Sequence, residues 1–245
     1  MKILTLNTWQ DKGPWQQRWE VILRGIRQMH PTLVAFQEIF DHFWALEIQK
    51  KTGFSTLLFP KEHAGLVIGS QYPVRSWGVE TLSASPLEEY GRYALWAELK
   101  IGRRKLFFIN THLSWKLEDG ASRKNQLGEI LKMIQKKAGN RESIVVGDLN
   151  APPDSPEIRW FIKAGKFLDL FSKINPGKSG FTWDNNNDYA ANCNHKMPDR
   201  RIDQILLRGS GSFLADFEAC KLVYTKPAPN GIWASDHFGV CASFK

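Results

Sequence analysis

The sequence predicts an α/β fold in which two mixed β-sheets pack together with helices outside, and three observations lead to it. Predicted strands outnumber predicted helices. Hairpins mix with strand–helix–strand units, so parallel and antiparallel neighbours are both expected. The 245 residues carry no repeat, no Gly/Ser linker and no break in composition. That continuity suits one domain spanning 1–245.

The elements follow in order. Residues 3–8 form an apolar opening strand. Over 15–29, Trp15, Trp19, Ile22, Ile26 and Met29 recur at three- and four-residue steps and give a helix with one apolar stripe. Pro31 ends it. The short run 33–37 is a buried strand. A helix is expected over 41–51, with Gly53 as its stop, and strands over 64–69 and 74–84. Strands 92–100 and 103–111 flank Ile101-Gly102, a hairpin turn. The clearest helix covers 122–138, where Leu127, Ile130, Leu131 and Ile134 share a face and Gly139 closes it. A strand at 143–147 and a short helix at 155–164 come next. Residues 172–200 are polar and glycine-containing and are expected to be a long loop, with at most a short strand at 181–183. A loop of that length in a compact domain tends to be functional or disordered. Strands at 202–207, 213–223 and 238–243 complete the chain.

Composition narrows the functional classes. Lysine and arginine exceed aspartate and glutamate by eight, 33 against 25, and a positive surface attracts polyanions or anionic headgroups. The excess is spread along the chain and does not form a basic tail. Three cysteines at long spacings, with no CxxC pair, argue against a thiolate metal site or a disulfide framework. Cys241, inside an apolar run, is expected to be a buried free thiol. The amino terminus reads as a strand with no secretory pattern, and no stretch approaches the roughly 18 apolar residues of a membrane span. A cytoplasmic monomer is the expectation. Ten tryptophans and fifteen phenylalanines are assigned mostly to the core, with some around an active-site mouth.

The informative pattern is where hard polar groups fall. Asn7 ends the first strand, Glu38 follows the run 34–37, His112 ends 106–109, and Asp148 and Asn150 end 144–147. Asp203 starts 204–207, and Asp236 with His237 stands before the last strand. Rigid strands commonly deliver functional groups to loops in this way. A lone Asp or Asn at a strand end is more often a turn former, so the repetition carries the argument. Asp148 and Asn150 are two apart, and in extended backbone both side chains would point one way.

These segments, in order, are LTLNTW (4–9), AFQEI (35–39), GRYALWAEL (91–99), NTHLSW (110–115), VVGDLNAPP (145–153), RRIDQILL (200–207) and SDHFGV (235–240). The ordered set resembles the endonuclease/exonuclease/phosphatase superfamily, which includes DNase I-like nucleases, abasic-site endonucleases, neutral sphingomyelinases, inositol phosphatases and tyrosyl-DNA phosphodiesterases. The resemblance implies a four-layered α/β sandwich with its site at one end of two packed, mainly antiparallel sheets. It implies hydrolysis of phosphoesters with a divalent metal, usually magnesium, with manganese possible. It makes Glu38 the main metal ligand, with Asn7 beside it and Asp236 completing the site. It pairs His237 with Asp203 facing the phosphate, sets His112 on the non-bridging oxygens, and has Asp148 and Asn150 orient the nucleophile. Arg92 matches a family arginine near the substrate only loosely. Oxygen donors of this kind suit magnesium. Whether His237 or Asp148 is the base, and whether one metal acts or two, stays open.

The substrate is less legible. Charge and aromatics favour nucleic acid, because basic grooves hold backbones and rings stack bases. A sphingomyelinase-like lipid headgroup, met through Trp115 or Trp233, an inositol or other small phosphoester, and a noncatalytic role binding nucleic acid or anionic lipid are the alternatives. In the distinctive stretch FTWDNNNDYA (181–190), Trp183 and Tyr189 are candidates to line the site. Asn185, Asn186 and Asn187 either bind substrate or form a plain loop. Of Arg200 and Arg201, one is expected to touch phosphate and the other to be surface charge, and Arg201 is carried as the candidate.

Overall fold

The computed structural model describes residues 1–60, 64–209 and 211–245. Its strands are β1 (Lys2–Asn7), β2 (Leu33–Gln37), β3 (Thr56–Leu58), β4 (Leu66–Ser70), β5 (Val74–Leu82), β6 (Arg92–Ile101), β7 (Arg104–His112), β8 (Ser143–Asp148), β9 (Phe167–Asp169), β10 (Asp203–Arg208), β11 (Phe217–Val223) and β12 (Gly239–Phe244). Its helices are α1 (Trp15–Met29), α2 (His42–Thr52), α3 (Gly120–Lys137), α4 (Pro156–Gly165), α5 (Leu170–Ile174), α6 (Asp188–Ala191) and α7 (Ser212–Asp216).

The strands form two six-stranded sheets, ordered β11-β12-β1-β2-β4-β3 and β5-β6-β7-β8-β10-β9. Each sheet has one parallel pair, β1 with β2 and β7 with β8, and its other pairs are antiparallel. A parallel pair needs a crossover, and α1 and α3 supply the two.

The layering explains the sequence pattern. Ile3, Leu33, Ala35 and Ile68 of the first sheet meet Leu95, Ala97, Phe108, Ile144, Val146 and Ile205 of the second. The opposite faces are covered too. Leu4, Leu6, Val34 and Phe36 pack under Trp19, Ile22 and Ile26 of α1 and Ile48 of α2. Phe107, Ile109 and Val145 pack under Leu127, Ile130 and Ile134 of α3 and Ile158 and Phe161 of α4. Central strands buried on both sides must be apolar without alternation, which is why β2 and β8 read as continuous runs. The result is the expected four-layered α/β sandwich.

Local signals set the ends. Asp41 caps α2 by accepting from the Trp44 amide at 3.1 Å, and Gly53 ends it in the left-handed region at φ 70°. Ser155 caps α4, whose first turn holds Pro156. Gly102, at φ 60°, lies in the two-residue turn between Ile101 and Arg104. Two expectations need correction. Residues 172–200 are not one loop, because α5 ends inside them at Ile174 and α6 forms within them. Residues 213–223 are not one strand, because α7 occupies the start and β11 begins at Phe217. The aromatics divide as well: Trp19, Trp183 and Trp233 are buried, whereas Trp77 and Trp160 are exposed. No helix among the described residues is long and apolar enough to cross a membrane. Cys220 and Cys241 are buried free thiols.

Candidate active site

The polar strand ends meet on one edge of the sandwich. In both sheets this is the carboxyl end of the parallel pair: Asn7 ends β1 and Glu38 follows β2, and His112 and Asp148 end β7 and β8. Antiparallel β10 brings Asp203 opposite Asp148, and the segment entering β12 brings Asp236 and His237. The preceding Gly147 is required for this close approach. It has φ 132°, and a Cβ there would lie 2.0 Å from the Thr111 carbonyl oxygen. Glu38 takes φ 65° as its chain leaves β2.

Hydrogen bonds join the groups across the two sheets. Asn7 Nδ2 donates to Glu38 Oε1 at 3.1 Å and to Asp148 Oδ2 at 3.0 Å. His237 Nδ1 meets Asp203 Oδ2 at 2.8 Å. Its Nε2 lies 3.8 Å from Asp148 Oδ2, and His112 Nε2 lies 3.5 Å from the same oxygen. Thr182 Oγ1 accepts from the Ile202 and Asp203 amides, which fixes the strand that carries Asp203. Below this layer Gln37 Nε2 donates to Asn110 Oδ1 at 2.7 Å, and Asn110 Nδ2 donates to the Phe36 and Val67 carbonyls. Both side chains are fully buried, so one polar tie locks the sheets together under the site.

The electrostatics are those of a crowded acidic pocket. Burial raises Glu38, and the nearby Asp148 charge adds to the rise. Burial pushes the Asp236 carboxyl up to about 7, with Glu38 contributing. Burial also raises Asp203. Burial opposes ionisation of Asp148, yet His237, His112 and the hydrogen bonds from Asn7 and Asn150 together hold it below its ordinary range. Burial disfavours the His237 cation, but Asp203 and Asp148 outweigh it and raise the imidazole well above its usual value. His112 goes the other way, to about 3, through burial and the adjacent Arg92 cation.

This donor set fits a hard divalent cation. Glu38 and Asp236 are carboxylates that oppose each other's ionisation, and an ion between them would relieve that cost. Asp148, Asp203 and His237 form a group whose ligand atoms lie within 4.8 Å of one another. There, His237 Nδ1 takes Asp203 Oδ2, while Asp203 Oδ1 is buried with no partner among the described residues.

The remaining candidates divide. Trp183 lies edge-on to the His237 ring, with centroids 5.2 Å apart, and its backbone bridges both Arg200 and His237. Tyr189 stacks on Trp9 at 4.8 Å, and both rings are partly open to solvent. Arg92 is buried and paired with Glu88 at 2.8 Å. Asn150 is not extended: its φ is 52°, its amide donates to Asp148 Oδ1 and its Nδ2 to the Leu113 carbonyl. The same-side argument for it is therefore corrected to a local turn on Asp148. Arg201 is corrected too. It binds Asp169 through two bonds of 3.0 and 2.8 Å and Ser172 through a third, so both of its terminal nitrogens are occupied. Trp233 is buried against Phe238 and donates to Asp188, which removes it as a membrane contact. Sequence reasoning missed the Gln37–Asn110 tie, although Asn110 stood inside a quoted motif. It also missed Arg18, a polar residue on an amphipathic helix that no local signal marks as buried.

A two-sheet α/β sandwich with carboxylates and paired histidines at the carboxyl edge of its parallel strands defines a hydrolase-type site suited to phosphoesters. The chain belongs to the Endonuclease/Exonuclease/phosphatase family, whose sequence model matches residues 4–237. Members of that family are divalent-metal-dependent hydrolases of phosphoesters. No curated protein matches the chain in sequence. Among solved structures, D. rerio TDP2 complexed with single-strand DNA product is similar at TM-score 0.81 and 20% identity, over 100% of this chain and 98% of that one. A conserved protein of unknown function from Enterococcus faecalis is similar at TM-score 0.78 and 22% identity, over 100% and 99%. A mannosyl-6-phosphatase of Bacteroides thetaiotaomicron is similar at TM-score 0.77 and 16% identity, over 100% and 99%. At these identities the likeness is one of fold.

Proposed function

We propose that the chain is a magnesium-dependent phosphodiesterase whose preferred substrate is a phosphodiester in nucleic acid. The observation that carries this reading is the joint placement of Glu38, Asn7, Asp148, His112, Asp203 and His237 around one buried acidic pocket. Glu38 and Asp236 would hold the ion, with Asn7 beside it, and manganese suits the same oxygens. When bound, the ion supplies positive charge to a phosphoryl oxygen as negative charge builds there.

The protein's own groups do the rest. Asp148, kept ionised, accepts a hydrogen bond from the attacking water and can take its proton for in-line attack. Asn150 fixes the Asp148 carboxylate through its backbone amide. His237 has Nδ1 committed to Asp203, so its Nε2 is the edge that faces the phosphate. As an imidazolium it donates to a non-bridging oxygen and offsets the charge of the pentacovalent state. His112, held neutral, hydrogen-bonds beside it. Trp183 supports the His237 ring and walls the site.

Three features support nucleic acid. The chain has a net charge of +8, the Trp9–Tyr189 pair offers a partly exposed stacking surface, and a structural neighbour is titled as a complex with single-strand DNA product. One observation favours a lipid phosphoester instead. Phe40, Phe43 and Leu46 are exposed, Phe43 by 80%, and Phe40 rims a cavity that also holds Glu38, Trp15 and Trp44.

The test is turnover with magnesium on single-stranded DNA, duplex DNA, RNA, sphingomyelin, phosphoinositides and bis(p-nitrophenyl) phosphate. We expect DNA or RNA to lead. His237→Ala should lose about 10²–10⁴-fold in rate, and Glu38→Gln at least as much, both with native circular dichroism. Full activity in either variant overturns the assignment. Turnover of lipid alone replaces nucleic acid with the headgroup reading, and binding without turnover on any substrate replaces the enzyme with a binding protein.

A further inference from the structure

Arg200 and Arg201 are adjacent in the chain, both are buried, and they differ in what their terminal nitrogens meet. Arg201 is neutralised by two hydrogen bonds to Asp169. Arg200 is buried, 8% exposed, and among the described residues no side chain or carbonyl accepts from its guanidinium. Its Nε, like that of Arg201, is a buried donor with no partner; the difference lies in the terminal nitrogens. Burial pulls the Arg200 pKa down, Asp148 opposes this, and Arg123 adds a like charge. A buried, unpaired cation is costly, and a fold that keeps one has a place for an anion.

That place is a cavity of about 430 Å³ lined by the two arginines, by the carboxylates Asp154 and Asp199, and by Ser179 and Phe181. Its walls are the segments flanking the site: Pro152 and Pro153 follow Asn150, and Asp199 and Arg200 precede Asp203. Trp183 links the cavity to the catalytic groups, since its backbone pairs with Arg200 on one side and His237 on the other. The prolines provide no N–H donors. The Oδ1 of Asp199 is taken by the Asn185 amide and Nδ2 at 2.9 and 2.6 Å, and the terminal nitrogens of Arg201 by Asp169 and Ser172, so among the described residues Arg200 is the cation on this wall whose terminal nitrogens have no partner. A cavity of this size accommodates a nucleotide-sized group.

We propose that Arg200 binds a second, non-scissile phosphate of the substrate, seated in this cavity beside the site of attack. The assignment rests on the reading of the chain as a phosphoester hydrolase. It makes the protein prefer substrates with a phosphate adjoining the one that is cleaved, whether that phosphate belongs to a nucleic-acid chain or to a small bisphosphate.

The experiment compares wild type, Arg200→Gln and Arg200→Lys on two dithymidylates, one with a 5′-phosphate and one without, and on a hexose bisphosphate against its monophosphate. Binding of inorganic phosphate is measured in parallel in EDTA, with no turnover involved. Arg200→Gln should cut the preference for the second phosphate about tenfold through KM, weaken phosphate binding about tenfold, and leave the circular dichroism spectrum native. Arg200→Lys should recover part of both. The dithymidylate arm responding alone identifies a nucleic-acid chain as the source, and the hexose arm alone a small bisphosphate. An unchanged preference, or phosphate binding in Arg200→Gln equal to wild type, overturns the proposal. If wild type cleaves nothing, the phosphoester-hydrolase reading fails, and the EDTA binding arm still decides whether Arg200 holds phosphate.

Discussion

His112 shows how one residue carries the site's electrostatics into stability. Its imidazole falls from 6.5 to about 3 on folding, through burial and then Arg92. Between those values the unfolded chain binds a proton that the folded chain refuses. The stabilisation is therefore complete above pH 6.5 and is lost as pH falls toward the folded value. At about pH 4.5 the wild type should have lost about 3 kcal/mol through this residue alone. His112→Asn removes that term. Urea unfolding at pH 7 and at about pH 4.5 should show a smaller drop for the variant by about 3 kcal/mol, and equal drops would refute the neutral, buried imidazole. The placement of His112, Glu38 and Asp148 at strand ends was legible in the sequence because an apolar run stops where a polar group begins. The fate of Arg201 was not, since its partner Asp169 lies 32 residues away and no spacing announces it. Asn150 misled for a different reason: Asn tolerates the left-handed region, and one such residue defeats any argument from extended alternation.

At the scale of elements, the crossover helices do more than connect strands. Arg18 of α1 is fully buried and donates to the carbonyls of Thr8, Trp9, Gln10, Lys12 and Ala234. Arg123 of α3 does the same for Ser114, Lys116 and Leu117 while paired with Glu157. Each arginine ties down the loop that leads from a site strand into its own helix. Arg18→Met keeps the stem and removes the donors. It should destabilise by about 2–3 kcal/mol and speed amide exchange in residues 8–12. Unchanged exchange there would mean that the loop is held by packing alone. The long elements were readable because their apolar faces span several turns or a full strand. The three-residue strands β3 and β9 and the short helices α5, α6 and α7 were missed because no period develops over so few residues. These pieces take their shape from tertiary contacts, as α5 does from the Asp169 side chain that accepts from its first amides.

The whole molecule places opposing demands on its two sheets. Asn7, Glu38, Asp236 and His237 arrive with the first sheet, and His112, Asp148 and Asp203 with the second. The contacts Asn7–Asp148, His237–Asp203 and Gln37–Asn110 all cross between them. The sandwich therefore closes on a cluster of acids whose mutual repulsion its core must offset. A divalent cation bound to the folded state would reverse that sign if Glu38 and Asp236 hold it as proposed, since the unfolded chain offers no such site. At about 100 times its Kd, magnesium should add about 2.7 kcal/mol, which for a chain of this length raises Tm by about 5–10 °C. Glu38→Gln should abolish most of that rise. Without metal, the same variant should melt at or above the wild-type temperature, because it removes one of the crowded carboxylates and Gln can still take the Asn7 hydrogen bond. A thermal scan of both proteins in EDTA and in magnesium reads all four states. If magnesium leaves wild type unmoved, or lifts Glu38→Gln by the same amount, the ion is not held at Glu38 and the cluster Asp148, Asp203 and His237 becomes the site to test.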